Sequence, residues 1–104
     1  MQTILAQFKV QPGKEAEAEA AVKAMAASVE GKEPGALAYI FHRNRRDPLE
    51  ITVFEIYADD AAAATHAGSE HMGQFRTYFG SLFDPATVKI DRLERVAGSV
   101  RGQS

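Results

Sequence analysis

ALAYIFHRNRRDPLEITVFEIY, residues 36–57, carries two apolar runs on either side of a polar break. In the first run Leu37, Tyr39 and Phe41 alternate with Ala38, Ile40 and His42; in the second Ile51, Val53, Glu55 and Tyr57 alternate with Thr52, Phe54 and Ile56. A period of two in β-branched and aromatic residues is the pattern of a strand. Asn44-Arg45-Arg46-Asp47-Pro48 is turn chemistry, so residues 36–43 and 49–57 read as two antiparallel strands joined by a hairpin-type loop. Both faces of both strands are largely apolar. A strand with one face in water would alternate cleanly, so each face of this sheet calls for a cover.

Outward on the N-terminal side, residues 14–30 are rich in Ala, Glu and Lys, which favour helix. Ala18, Val22, Met25 and Val29 form one narrow stripe at i, i+4, i+7 and i+11. Gly31 is the expected stop, and Pro34-Gly35 prevents a restart. Before the helix, Ile4, Ala6, Phe8 and Val10 share one face of a strand over residues 3–11, closed by the turn Pro12-Gly13. On the C-terminal side, Asp59-Asp60 opens a short helix through an alanine run, Gly68 ends it, and Ser69 can cap a further helix over residues 70–83. Asp84-Pro85 stops that helix, and residues 86–97 return to a strand with Val88 and Ile90 on one face.

The order is β-α-β-β-α-β with the second helix split. It predicts an α+β, ferredoxin-like antiparallel sheet with helices on one face. One domain over residues 1–97 and a tail over residues 98–104 account for the chain. The helices cover one sheet face; the other is expected to be covered by a second copy, making a homodimer.

Composition narrows the function. The net charge is −2 with acids and bases interspersed, which speaks against nucleic acid or an anionic membrane as partner. There is no cysteine, so disulfides, thiolate catalysis and cysteine-held iron or zinc are excluded. The opening apolar run is too short for a signal peptide, and no stretch approaches the roughly 20 apolar residues of a membrane span; a cytoplasmic protein is expected. No Gly-rich phosphate loop or nucleotide fingerprint is present, and Ser69 and Ser81 have no triad setting.

Glu33-Pro34-Gly35-Ala36-Leu37-Ala38-Tyr39 resembles the E-x-G-x-L-x-Y opening of the second strand in antibiotic biosynthesis monooxygenase domains. Phe54-Glu55-Ile56-Tyr57, then Asp60-Ala61, then Thr65 to Met72 resemble that family's later signature of an E-x-[WY] strand followed by two spaced histidines. The resemblance runs from residue 2 to about residue 97. It implies a dimeric α+β barrel with a pocket between sheet and helices, and cofactor-free oxidation of quinols or anthrones as an activity. The haem-degrading relatives carry an Asn in the first strand and a Trp where this chain has His66. This chain has no Trp, and Gln7 but no Asn in that strand, so the quinol branch is the better match.

The residues themselves suit that chemistry. Triplet dioxygen reacts sluggishly with closed-shell substrates, and flavin or metal normally bridges the gap. A deprotonated electron-rich phenol can instead pass one electron to oxygen itself. The protein then supplies a base, a dry cavity and orientation. His66, at the end of the short helix, is the first candidate base, and its ordinary reading is a helix-end histidine. His71 aligns with Phe75 and Tyr78 on the last helix and is expected to face the pocket or to pack half-exposed; His42 reads as structural. Glu55, an acid within an apolar strand, either orients a histidine or holds the fold through a hydrogen bond. Phe8, Tyr39, Phe54, Phe75 and Tyr78 are the candidates to line a cavity for a flat aromatic ligand; with Phe41, Phe79 and Phe83 they also serve as core, and parity alone does not separate the two. His66 and His71 are five apart, not the i, i+4 spacing that puts two ligands on one helix face, so no metal and no other cofactor is expected. Arg43, Arg45 and Arg46 read as a solvated turn or as an anion site at a pocket mouth.

The leading function is therefore a cofactor-independent monooxygenase acting on a small aromatic or quinol-type substrate with dioxygen. The alternatives on the same fold are a non-catalytic small-molecule-binding or stress-related dimer, and an isomerase or decarboxylase using a histidine base.

Overall fold

The computed structural model describes residues 1–102. The elements are β1 (Gln2–Val10), α1 (Glu15–Lys32), β2 (Ala36–Arg43), β3 (Glu50–Tyr57), α2 (Asp60–Ala67), α3 (Glu70–Leu82) and β4 (Phe83–Leu93). The sheet order is β2-β3-β1-β4 with every neighbouring pair antiparallel, the ferredoxin-like α+β arrangement that the periodicities predict. The α1 stripe of Ala18, Val22, Met25 and Val29 is buried as expected. It packs in one core with Ala6, Phe8, Val10, Ile51, Val53, Phe75 and Phe83. No helix among the described residues is long and apolar enough to cross a membrane.

Most boundaries fall within a residue of the sequence expectation; the end of α1 and both ends of β4 move further. α1 does not stop at Gly31; it runs to Lys32, and the Glu33 N–H still donates to the Val29 carbonyl at 2.9 Å. Pro34 ends it instead, because a residue before proline is pushed out of helical conformation. Glu33 accordingly sits at φ −124°, ψ 80°. β4 begins at Phe83 rather than residue 86, with no intervening loop, and ends at Leu93 rather than 97. Phe83 is fully buried and pairs with Val10, which draws the chain into the sheet at once. The proline then appears as an irregularity: the register jumps between Gln7 and Lys9, and the Lys9 N–H donates to the Thr87 hydroxyl at 2.9 Å. Of the expected 98–104 tail, residues 103 and 104 lie outside the described residues.

Two caps and one glycine place the α2–α3 segment over the sheet. The Asp59 carboxylate accepts from the Ala62 N–H at 2.8 Å and starts α2. Ser69 starts α3, its hydroxyl accepting from the Met72 N–H at 3.2 Å while donating to the His66 carbonyl at 2.8 Å. A Cβ on Gly35 would lie 2.6 Å from the Ala62 Cβ, so only glycine lets α2 come this close to the start of β2.

Candidate active site

The helix-facing side of the sheet carries Ile4, Ala6 and Phe8 from β1, Tyr39 and Phe41 from β2, Val53 and Glu55 from β3, and Val88, Ile90 and Arg92 from β4. Over it, α2 and α3 supply His66, Met72, Phe75, Arg76 and Phe79. Between these layers lies a cavity of about 350 Å³, mostly apolar, in the size range of small-molecule sites.

His66 is buried in the last turn of α2, its ring 5.0 Å from that of Tyr39 and 5.3 Å from that of Tyr57, centre to centre. Its Nδ1 lies 3.0 and 3.2 Å from the two carboxylate oxygens of Glu33. A carboxylate only accepts hydrogen bonds, so Nδ1 carries the proton and donates it. In the neutral ring Nε2 then keeps its lone pair. Nε2 has no hydrogen-bond partner among the described residues and is not sealed from solvent, and the ring lines the cavity. His71 Nε2 donates to the same Glu33 carboxylate from the first turn of α3. The two histidines meet because Gly68 and Ser69 break the helix between them.

Glu55 faces the cavity and accepts from the Tyr57 hydroxyl at 2.5 Å. Burial raises its carboxyl above the ordinary carboxylate range; the Tyr57 bond and the nearby His66 oppose that in part. Burial, reinforced by the Glu55 bond, pushes the Tyr57 phenol up; burial and the charges of Glu55 and Glu33 do the same to Tyr39. Both tyrosines stay protonated.

His66, Glu55, Phe8, Tyr39 and Phe75 thus lie together around one cavity. Three expectations need correction. Phe54 points to the opposite face of the sheet, among Thr3, Ile56 and Leu93, because it is one residue out of phase with Glu55. Tyr78 packs edge-on against Phe75, 5.6 Å between ring centres, in the core rather than in the cavity wall. His71 does not line this cavity; it turns to Glu33 and borders a shallow surface depression with Lys32, Ser69 and Glu70. The spacing argument against a metal also fails on geometry. Ligand atoms of Glu33, His66 and His71 all lie within 4.8 Å of one another: the break at Gly68, which on the sequence counts further against a shared site, is what turns the two histidines toward one carboxylate.

Glu33 is the functional residue that sequence reasoning missed. It served there only as the first letter of a motif. The signal was Pro34, which takes the preceding residue out of the helix. Arg76 and Arg92, at the cavity rim, were also missed; both are exposed and sit in polar stretches with no pattern to single them out.

Residues 1–78 match the family described as antibiotic biosynthesis monooxygenase. No functionally curated protein matches the chain. Among solved structures, PA3566 from Pseudomonas aeruginosa is 32% identical with a TM-score of 0.83, covering 92% of this chain and 94% of that one. A protein of Caulobacter crescentus CB15, provisionally designated an antibiotic biosynthesis monooxygenase, is 30% identical with a TM-score of 0.85, covering 92% and 90%. A Nitrosomonas europaea protein of unknown function shares the fold at 19% identity and a TM-score of 0.82, covering 98% and 95%.

Proposed function

Because the chain belongs to the antibiotic biosynthesis monooxygenase family, we propose that it is a cofactor-independent monooxygenase for a small quinol- or anthrone-type aromatic, with His66 as the base. One observation carries this reading: a histidine whose Nδ1 is tied to a buried carboxylate, whose Nε2 has no partner among the described residues, and whose ring lines an apolar cavity. Glu33 holds the tautomer, so the lone pair is presented without a conformational search.

The reaction balances without an external reductant. The phenolic proton moves to His66 Nε2. The phenolate passes one electron to dioxygen, and the resulting phenoxyl radical and superoxide combine to form a C–O bond. The peroxide takes up the stored proton and loses water as the ring C–H proton leaves, giving the quinone. One oxygen atom ends in the product and the other in water. Phe8, Phe75 and Phe79 give the cavity an apolar wall that can flank a flat ring. Glu55 and the Tyr57 hydroxyl offer a second proton-handling pair on the floor.

The functional unit is a homodimer in the cytoplasm, with a second copy on the outer sheet face where Ile40 is 48% exposed. The test is oxygen uptake on a panel of quinols and anthrones with chelator present and no added flavin. His66→Ala should lower turnover by about 10²–10⁴-fold, the usual contribution of a general base. Ligand binding with no oxygen uptake on any substrate would refute catalysis and leave a binding protein.

A further inference from the structure

Glu33, His66 and His71 also make a set of candidate metal ligands, and the oxygenase reading, which uses His66 and Glu33, gives His71 no task. Three donor atoms, from the end of α1, the last turn of α2 and the first turn of α3, lie within 4.8 Å of one another. Their side chains are 2%, 9% and 11% exposed. Two neutral imidazoles and one carboxylate are the donor set of open zinc sites, which leave a fourth position for water. Zinc bonds of about 2.0–2.2 Å place tetrahedral donors about 3.3 Å apart. The two Glu33–His66 contacts, at 3.0 and 3.2 Å, already fit. The two ring nitrogens, at most 4.8 Å apart, must close by at most about 1.5 Å, and the closer Glu33–His71 pair must open as the ion replaces the shared proton. The surface depression bordered by Thr65, Ser69 and Glu70 is a path for the ion and the place for its water. Ser69 braces the arrangement, since its hydroxyl ties the His66 carbonyl to the start of α3.

We infer that Glu33, His66 and His71 form a binding site for one divalent ion of the zinc type, behind the cavity rather than in it. Two nitrogen donors favour zinc over magnesium or calcium. Glu33 and His71 do not line the cavity, so the His66 ring stands between the ion and any substrate. Coordination through Nδ1 leaves the one ring proton of His66 on Nε2. On the proposed function, to which this last consequence alone is tied, the zinc-filled form lacks its base.

The experiment titrates Zn²⁺ into chelator-stripped, tag-free protein by calorimetry, with no substrate present. One equivalent should bind, and His71→Ala should weaken binding at least about tenfold, since loss of a mere supporting partner already costs that much. His42→Ala, removing an exposed histidine on β2, should leave it unchanged. On the wild type, histidine ring ¹⁵N spectra should shift at His66 Nδ1 and His71 Nε2 with His42 unmoved; this needs no variant to fold. No saturable binding, binding insensitive to His71→Ala, or a shift confined to His42 would overturn the inference. Failure of oxygen uptake would not touch it.

Discussion

Removing the Glu33 carboxylate should destabilise the protein before it affects anything else. Its side chain is 2% exposed and receives N–H donors from two histidines that are themselves about nine-tenths buried. In Glu33→Ala both donors lose their acceptor. An unsatisfied buried donor costs about 1–3 kcal/mol. His71 borders the surface depression and can turn to water, so the combined loss should be about 2–4 kcal/mol, a large part of the 5–15 kcal/mol typical of a domain. At about 4–8 °C per kcal/mol for a chain of this size, the melting temperature should fall by about 10–30 °C. Glu33→Gln is milder: the amide oxygen serves one ring while the amide N–H₂ faces the other, which must change tautomer. About 1 kcal/mol is expected, with turnover down much further because His66 no longer presents a fixed lone pair. Calorimetric melts read the first effect and histidine ¹⁵N spectra the tautomers. A Glu33→Ala protein that melts within about 2 °C of wild type would show that the carboxylate holds neither histidine.

Gly35→Ala places a Cβ 2.6 Å from the Ala62 Cβ, so α2 must move; about 1–3 kcal/mol of stability should be lost, read in denaturant melts. Glu55 carries a raised folded-state pKa, chiefly from burial, so its contribution is intact below the unfolded carboxyl value and is lost as pH rises through the folded one. Glu55→Gln, which still accepts from Tyr57, should match wild type in acid and melt higher at neutral pH; the reverse order would refute the assignment. Val53 is 2% exposed in the core and Ile40 48% exposed on the outer face, so Val53→Arg should unfold the chain while Ile40→Arg should leave it folded and monomeric by light scattering. A folded, dimeric Ile40→Arg protein would count against the sheet-face dimer.

The strands, α1 and its buried stripe, and the split after Gly68 could be read from residue order, because each depends on neighbours within a few positions. Ser69 and Asp59 announce their helices for the same reason. The end of α1 past Gly31 is set by Pro34, a local signal; the start of β4 at Phe83 could not be read this way. There a local turn preference competes with a pairing partner far away in the chain, Val10, and only the folded sheet brings the two together. The site divides likewise. Glu55 stands out in the sequence as an acid in an apolar strand and His66 through the family signature at the end of the short helix, and their chemistry is intrinsic to the side chains. That Phe54 faces away while Tyr39 faces in follows from sheet packing, since alternation gives two faces and does not say which one the helices take. The meeting of Glu33 with His66 and His71 spans 33 and 38 residues of sequence. It arises where Pro34 ends one helix, Gly35 admits another and Ser69 turns a third, and the shared buried carboxylate exists only once all three are packed.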